Sequence, residues 1–268
     1  MAVAHAPPVR WSPPPLFRDP RLRWTVYLGT VIYLALALST VEINWTRVYE
    51  GLERGRIFIA AFFSPDFTSR ADEIWQGMVE SLTMTVTSTL AGILLAIPVG
   101  IGAALAVAPM PVHYGCRAFI AVSRSLQEII IAILFVAMVG FGPLAGFLTL
   151  TIATIGFMAK LLAEDIEDVD SAPLEAIRAT GAGWWQWLNY AVQPQVMPRS
   201  IGLSLYRLDI NFRESAVIGI VGAGGIGATL NTAIDRYDFD DAAAILLLII
   251  GIVMVAEYSS SHIRRWAQ

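Results

Sequence analysis

The sequence predicts an all-α integral membrane protein with about six transmembrane helices. Of its 268 residues, 56% are hydrophobic and only 15% are charged, and the mean hydropathy is +0.61. An ordinary soluble domain carries about 25% charged residues. The apolar residues are also grouped in runs of about 20, which is the length a helix needs to cross about 30 Å of hydrocarbon. A soluble fold with so little charge could not cover its own surface.

Three regions are expected along the chain. Residues 1–23 form a Pro- and Arg-rich tail whose composition does not pack into a core. Residues 24–73 hold the first span, which we expect to stay in the protein and not to be cleaved as a signal peptide, and an interfacial outer segment. Residues 75–265 form the core domain, with a polar cytoplasmic segment at 164–199. The apolar runs place the spans at 24–42, 75–107, 118–139, 143–163, 200–221 and 241–261, with a tight turn at 140–143.

The basic residues favour an orientation with both termini in the cytoplasm. Inner segments carry the larger share of Arg and Lys in membrane proteins. With the N-terminus inside, the inner segments hold Arg10, Arg18, Arg21, Arg23, Arg117, Lys160, Arg178, Arg199, Arg264 and Arg265. The outer segments then hold Arg47, Arg54, Arg56, Arg70 and Arg236. The net charge of −4 gives no reason to expect a nucleic-acid partner, and the single cysteine excludes a Cys-rich metal site.

The stretch VGAGGIG, beginning at Val221, contains the spelling G-x-G-x-x-G of a dinucleotide-binding fingerprint. That fingerprint needs a buried strand before it and a helix after it, inside a βαβ unit. Here a candidate span precedes the glycines, a polar loop is expected at 231–241, and no βαβ alternation occurs. The glycines are therefore predicted to end span five and to let the backbone turn at the outer face; they are Gly222, Gly224, Gly225 and Gly227.

The polar cytoplasmic segment is predicted to form two short helices. Ser171 is a suitable N-cap for the first helix, and Glu175 lies where the helix dipole favours an anion. Gly181 suits a helix end and a turn. The second helix, at about 184–192, is expected to stop before Pro194. Two short helices joined by a glycine hinge on the cytoplasmic side are typical of a docking element.

This segment resembles the EAA loop of ABC importer permeases, whose pattern is EAA-x3-G followed by I-x-L-P. The resemblance is carried by Glu175, Ala176, Gly181 and Pro194; the chain departs from the pattern at Ile177, Ala191 and Gln193. The longer stretches EAIRATGA, PQVMPR and LYRLDINFRESAVIGIVGAGGIG look like the permease subunit of phosphonate ABC importers. The resemblance covers roughly 75–265.

The resemblance implies a type I ABC importer permease-like bundle in the bacterial inner membrane. Its partners would be a second permease subunit, identical or paralogous, an ATP-binding cassette ATPase dimer and an extracytoplasmic substrate-binding protein. ATP and Mg²⁺ would bind the ATPase, because this chain has no G-x-x-x-x-G-K-[ST] loop and no cofactor of its own is expected. The chain would thus not be an enzyme. The residues that would contact the ATPase are Glu175, Ala176, Gly181, Trp184, Trp185 and Pro194.

Two interpretations of the tryptophans stay open. Trp184, Trp185 and Trp187 either pack into the groove of the ATPase or form an aromatic belt at the membrane interface.

Span five carries four charges inside a membrane helix: Arg207, Asp209, Arg213 and Glu214. Each costs roughly 2.5–3.5 kcal/mol at a helix centre, so this helix cannot face lipid all round. Asp209 and Arg213 are four residues apart and can pair on one face. Arg207, Asn211 and Glu214 fall on roughly the opposite face. Either compensated ion pairs hold the helices together, or Arg213 offers bidentate donors to a passing oxyanion.

Glu128, in span three, is a second intramembrane acid. We expect it to partner an arginine, since a phosphorus oxyanion is itself negative.

The predicted function is the transmembrane channel subunit of an ATP-driven importer of phosphonate or a related oxyanion, such as phosphite or phosphate. The alternative is an ion-coupled secondary transporter of a small anion. That class would explain the buried charges but gives the EAA-like loop no role. A membrane enzyme is a third class, but the sequence has no His/Asp/Ser set and no metal-spaced cluster.

Overall fold

The computed structural model describes residues 19–40 and 44–267, and side chains as far as Tyr258. These residues form helices and no strand. The helices are α1 (Pro20–Ser39), α2 (Trp45–Ala61), α3 (Ala71–Ala103), α4 (Met110–Ser125), α5 (Glu128–Val139), α6 (Pro143–Glu167), α7 (Ser171–Ala179), α8 (Trp184–Trp187), α9 (Gln193–Ile218), α10 (Ile226–Asp235) and α11 (Phe239–Ala267). Two π-helical segments, Leu188–Val192 and Gly219–Ala223, lie before and after α9.

Four helices of the described chain are long and apolar enough to cross a membrane: α1, α3, α6 and the Phe239–Tyr258 part of α11. Two bent pairs raise the number to six when each is taken as one span. The helices α4 and α5 meet at 95°, and the stretch Trp184–Ala223 meets α10 at 56°. This agrees with the all-α class and with the predicted number of spans.

The chain separates into two compact units, one up to Gly55 and one from Arg56 onward. In the first unit, the Asp19 carboxylate caps α1 by accepting the Arg21 N–H at 3.0 Å. The predicted tail at 1–23 lies mostly outside the described residues.

Small residues allow the helices of the second unit to pack closely. A Cβ atom on Gly92 of α3 would lie 2.5 Å from the Thr154 side chain of α6, and one on Gly100 would lie 2.8 Å from Leu162. Such residues let the backbones of spanning helices approach each other. Glycine at these two positions therefore permits a close contact between α3 and α6 that a larger residue would prevent.

The second unit has two ends along α9. The α7–α8 end contains α7, α8 and the C-termini of α3 and α6. The glycine end contains the Gly140–Pro143 turn, the Gly219–Ala223 segment and the first turns of α3. At 1.5 Å per residue, the 26 residues of α9 separate the two ends by about 39 Å.

The predicted third span at 118–139 is bent, because it contains two helices, α4 and α5, that meet at 95°. The helix breaks between α4 and α5, where Leu126 and Gln127 have extended backbone angles. The break makes Glu128 the first residue of α5, where the helix dipole favours a carboxylate. The sequence contains no glycine or proline at this point, so tertiary packing decides the bend.

Two more boundaries differ from the prediction. The second short helix does not stop before Pro194, because α8 continues through the π-helical turn at 188–192 into α9. In this wider turn the Gln193 N–H bonds to the Leu188 carbonyl, and Pro194 follows as the second residue of α9. The expected polar loop at 231–241 is mostly helical, since residues 231–235 lie in α10 and 239–241 in α11, and only Arg236, Tyr237 and Asp238 connect the two helices.

Candidate functional site

The buried face of α9 carries an arginine and an asparagine in one polar network. The Arg207 side chain is 3% exposed, its Nε donates to Thr154 Oγ1 at 3.2 Å, and its Nη2 lies 3.7 Å from Glu128 Oε1. The Asn211 amide donates to Thr89 Oγ1 at 2.7 Å and to Thr154 Oγ1 at 2.9 Å. The network therefore joins α3, α5, α6 and α9 inside the bundle.

Arg207 is paired with Glu128 of α5 and not with Glu214 of its own helix. The bend between α4 and α5 brings the first turn of α5 to this face of α9, which explains the pairing. Phe157 adds a further contact, since the Arg207 guanidinium lies 5.3 Å from the centre of its ring. Glu128 thus lies beside an arginine, whereas Glu214 is half-buried on α9.

The other face of α9 exposes Arg213. Its Nη2 donates to Asp209 Oδ2 at 2.7 Å, and the Arg213 side chain is 49% exposed, against 11% for Asp209. Tyr206, Val217 and Ile220 are also exposed along this face. A guanidinium has five N–H donors, so the bond to Asp209 leaves donors free to bind an anion in bidentate fashion. A charged group within a membrane span is costly where it faces lipid, so we expect this side of α9 to border a partner subunit or an aqueous passage.

Residues 222–225, called the glycine segment, form a turn that packs against α3 and the start of α6. Gly222, Gly224 and Gly225 have φ angles of 96°, 79° and 73°, in the left-handed region that disfavours other residues. The Gly142 N–H donates to the Gly222 carbonyl at 3.0 Å and so links the two turns at this end. Gly227 is not part of the turn, because it lies inside α10. A Cβ atom there would overlap the Ala216 carbonyl of α9, so its role is close packing.

Two neighbouring side chains of α3 that the sequence reasoning missed cap the start of α10. Glu80 Oε1 accepts the Gly225 N–H at 3.1 Å, and Ser81 Oγ accepts the Ile226 N–H at 2.9 Å. The first N–H groups of a helix have no partner within it. An acid in the apolar stretch of α3 was the available signal, but the partner 145 residues away could not be read from the sequence.

Glu80 also borders two cavities at the glycine end. One, of about 630 Å³, lies between α3 and the start of α6 and includes Trp75, Thr83 and Phe147. The other, of about 310 Å³, lies between α3 and the glycine segment. Among the residues that the structure describes, no group of three or more His, Cys, Asp or Glu side chains could hold a metal ion.

At the opposite end, α7 lies on the bundle and leaves the EAA-like residues exposed. Leu174 and Ile177 pack against the core, whereas Glu175 and Ala176 are exposed. The N-cap is Asp170 and not Ser171, because the Asp170 carboxylate accepts the Ala172 N–H at 3.1 Å.

The hinge after α7 depends on Gly181. Its φ is 79°, and its N–H donates to the Arg178 carbonyl at 3.0 Å. No atom lies within 4 Å of a Cβ placed there, so backbone angle and not space favours glycine at this position.

The three tryptophans of this segment differ in exposure. Trp187 is 4% exposed and packs into the chain's own core beneath the Arg178 guanidinium, which lies 4.5 Å from its ring centre. It is therefore available neither to a partner groove nor to a membrane belt. Trp184 and Trp185 are 44% and 69% exposed, and Trp184 Nε1 donates to the Val107 carbonyl at 3.3 Å. For these two, both interpretations stay open.

Known proteins resemble this chain in both sequence and fold. The chain is 44% identical over 201 residues to the phosphate-import permease protein PhnE of Mycolicibacterium smegmatis, a match that covers 75% of this chain and 38% of that protein. It is 38% identical over 250 residues to the phosphite transport system permease protein PtxC of Stutzerimonas stutzeri, covering 91% and 90%. The chain thus spans about two fifths of the first relative and nearly all of the second.

Two solved structures share the fold. The methionine ABC transporter MetNI in inward-facing conformations gives a TM-score of 0.65 at 23% identity, over 75% of this chain and 100% of that one. A bacterial alginate ABC transporter gives 0.61 at 16% identity, over 94% and 98%. The predicted type I importer permease-like bundle is confirmed. Residues 67–266 match the family described as binding-protein-dependent transport system inner membrane component, and the chain belongs to that family.

Proposed function

We propose that this chain forms the membrane passage of an ATP-driven importer whose cargo is a phosphorus oxyanion: phosphonate, phosphite or phosphate. The observation that carries the proposal is the similarity to permeases named for phosphate and phosphite, which for PtxC covers nine tenths of both chains. An ion-coupled secondary transporter of a small anion is not favoured, because the family is binding-protein-dependent.

The exposed face of α9 supports a passage for an anion. Arg213 keeps free donors on this face, and its bond to Asp209 balances its charge when no cargo is present. A tetrahedral oxyanion offers two oxygens to such a fork. Arg213 thus binds the cargo as it passes, and the second permease subunit, identical or paralogous, completes the wall.

The α7–α8 segment is the docking element for the ATPase dimer. Glu175 and Ala176 are exposed on α7, so they are available to a groove of that partner. ATP and Mg²⁺ bind on the ATPase, and this subunit catalyses no reaction itself. An extracytoplasmic binding protein delivers the cargo at the glycine end.

Orientation follows from the basic residues, with the α7–α8 end and both termini in the cytoplasm and the glycine end outside. Cysteine labelling in sealed vesicles tests this orientation in a Cys116→Ser background. Phe141 is 86% exposed beside the glycine segment, and Ala176 is exposed on α7. Phe141→Cys should react only with outside reagent and Ala176→Cys only with inside reagent, whereas the reverse pattern contradicts the orientation.

Uptake by the reconstituted complex tests the function directly. The chain would be copurified with its ATPase, reconstituted in proteoliposomes with its binding protein, and supplied with phosphite, phosphate and methylphosphonate. ATP-dependent uptake of at least one of these anions is expected. Uptake that needs an ion gradient and no ATP would favour the secondary transporter, and an assembled complex that moves none of the three would refute the proposal.

The hinge at Gly181 offers a test of coupling with a matched control. Gly181→Val places a β-branched residue at φ 79°, which costs about 1–2 kcal/mol and shifts α7. Gly183, two residues on, has φ −70° and no atom closer than 3.8 Å to a Cβ, so Gly183→Val fits without strain. Gly181→Val should assemble but hydrolyse ATP with little uptake, and Gly183→Val should transport normally. Normal uptake by both variants would rule out this segment as the coupling element.

A further inference from the structure

Glu80 and Ser81 are neighbours on α3, and each bonds to one of the first two backbone N–H groups at the start of α10. We propose that the two side chains form a clasp between α3 and the break after α9, in which Ser81 is the fixed half and Glu80 the half that opens during transport. The part about opening rests on the proposed import function, whereas the clasp itself does not.

The glycine segment fits the clasp because glycines bring its backbone against α3 and α6. A Cβ atom on Gly224 would lie 2.5 Å from Glu80 Oε1 and 2.7 Å from the Pro143 nitrogen. One on Gly225 would overlap Ser81 Oγ. Any side chain at these positions would therefore push α10 away from both acceptors.

The two halves of the clasp differ in their access to water. Ser81 and Ile226 are both 0% exposed, so no solvent molecule can replace their bond. Removing this hydroxyl would leave a buried N–H without a partner. Glu80 is partly exposed and borders both cavities at the glycine end. Water in either cavity can hydrate the carboxylate and the Gly225 N–H once they separate, so this bond can break and re-form.

The α3 helix connects the clasp to the α7–α8 end of the molecule. Its 33 residues extend about 50 Å. At the far end, the Ala103 carbonyl accepts a bond from Arg117 Nε at 3.0 Å, and Arg117 pairs with Glu167 of α6 at 2.8 Å. A shift of the α7–α8 end can therefore reach Glu80 through one continuous helix, and release of the Gly225 N–H frees the end of the glycine segment while Ser81 still holds Ile226.

Hydrogen exchange on the reconstituted complex tests the clasp. Backbone exchange would be followed by mass spectrometry in peptides from 219–230, in the nucleotide-free state and after trapping with ATP and vanadate. In the wild type, exchange of the Gly225 amide, resolved from overlapping peptides, should rise about tenfold on trapping, as expected for loss of one charge-assisted bond. Glu80→Ala should already show that faster exchange without nucleotide.

Glu73→Ala is the matched control. Glu73 lies two turns earlier on α3, borders the smaller cavity and pairs with Arg70, not with the backbone of α10. This variant should exchange like the wild type in both states. Ser81→Ala should exchange faster in both states and assemble at least several-fold less well. Should Glu80→Ala fail to assemble, Glu80→Gln keeps an acceptor oxygen and should show about threefold faster exchange in the nucleotide-free state.

The clasp is refuted if Glu80→Ala exchanges like Glu73→Ala, and the opening is refuted if trapping leaves wild-type exchange unchanged. Normal assembly and exchange in Ser81→Ala would refute its assignment as the fixed half. Wild-type uptake separates the two proposals. If the wild type shows no uptake but Glu80→Ala exchanges faster, the import function is refuted and the clasp is not. If the wild type shows normal uptake but Glu80→Ala exchanges like the wild type, only the clasp is refuted.

Discussion

The two faces of α9 place their arginines in different environments. Arg207 and Arg213 are six residues apart, which places them about 120° apart around the helix. Arg207 is enclosed by the chain's own helices and has its acidic partner, Glu128, on α5. Arg213 is half-exposed and pairs with Asp209 on its own helix. One arginine therefore joins helices, and the other keeps donors available outside the bundle.

The difference teaches that a charge in a membrane helix is not by itself a binding site. Both arginines carry the same cost of insertion, and both have a nearby acid. They differ only in which helix supplies the acidic partner and in how exposed the guanidinium is. A structural arginine should control assembly, and a cargo-binding arginine should control transport.

The largest effect is expected from Arg207→Ala. The change removes a buried guanidinium that bonds to Thr154 and leaves Glu128, which is 28% exposed, without its charged partner, so we expect a cost of about 3 kcal/mol. Thermal unfolding and assembly yield in detergent would measure this loss. Combining the change with Glu128→Ala should restore part of it, because the unpaired acid is then gone. A well-assembled, fully stable single variant would remove Arg207 from its structural role.

A smaller loss of stability is expected from Thr154→Val. Its hydroxyl accepts bonds from both Arg207 Nε and Asn211 Nδ2, so a valine of similar shape leaves two buried donors with fewer partners. The expected cost is about 1–3 kcal/mol.

Thr151 is the control for this change. It lies one turn earlier on α6 and bonds only to the Phe147 carbonyl of its own helix, at 2.7 Å. Thr151→Val should change the unfolding free energy by less than about 1 kcal/mol. Equal effects of the two variants would show that the network on the buried face adds no stability of its own.

Local chemistry accounts for what the sequence could predict. The spacing of Asp209 and Arg213 within one helix, the glycine turn after span five and the hinge at Gly181 all follow from rules that act over a few residues. In the structure Asp209 and Arg213 are in contact. The turn glycines have positive φ angles, except for Gly227, which lies inside α10.

Contacts between distant segments account for the rest. The partner of Arg207 depends on the 95° bend between α4 and α5, where no glycine or proline occurs. The caps that Glu80 and Ser81 place on α10 join residues 145 positions apart. Burial of Trp187, unlike Trp184 and Trp185, depends on how α8 packs on the core. Local sequence patterns predict none of these three features.

The smallest effect on stability is expected from Arg213→Ala. Arg213 is half-exposed, which limits the contribution of the pair to about 1 kcal/mol, but the Asp209 left behind is only 11% exposed, so the variant should assemble in somewhat reduced amounts. Transport should instead fall by about tenfold or more, because a charged hydrogen bond to the cargo is lost. Arg213→Lys keeps the charge without the planar fork and should give intermediate uptake. Normal uptake by Arg213→Ala would exclude contact with the cargo.

The most direct test of the distinction between the two faces is oxyanion uptake per assembled complex in wild type, Arg213→Ala and the double variant Asp209→Ala with Arg213→Ala. If Arg213 binds cargo, the double variant, which leaves no acid unpaired, should assemble in near wild-type amounts and the single variant in only somewhat smaller amounts, and both should lose uptake per complex by about tenfold or more. If the single variant assembles poorly and the double variant recovers both assembly and uptake, then the Asp209–Arg213 pair is structural, and the account of the exposed face is contradicted.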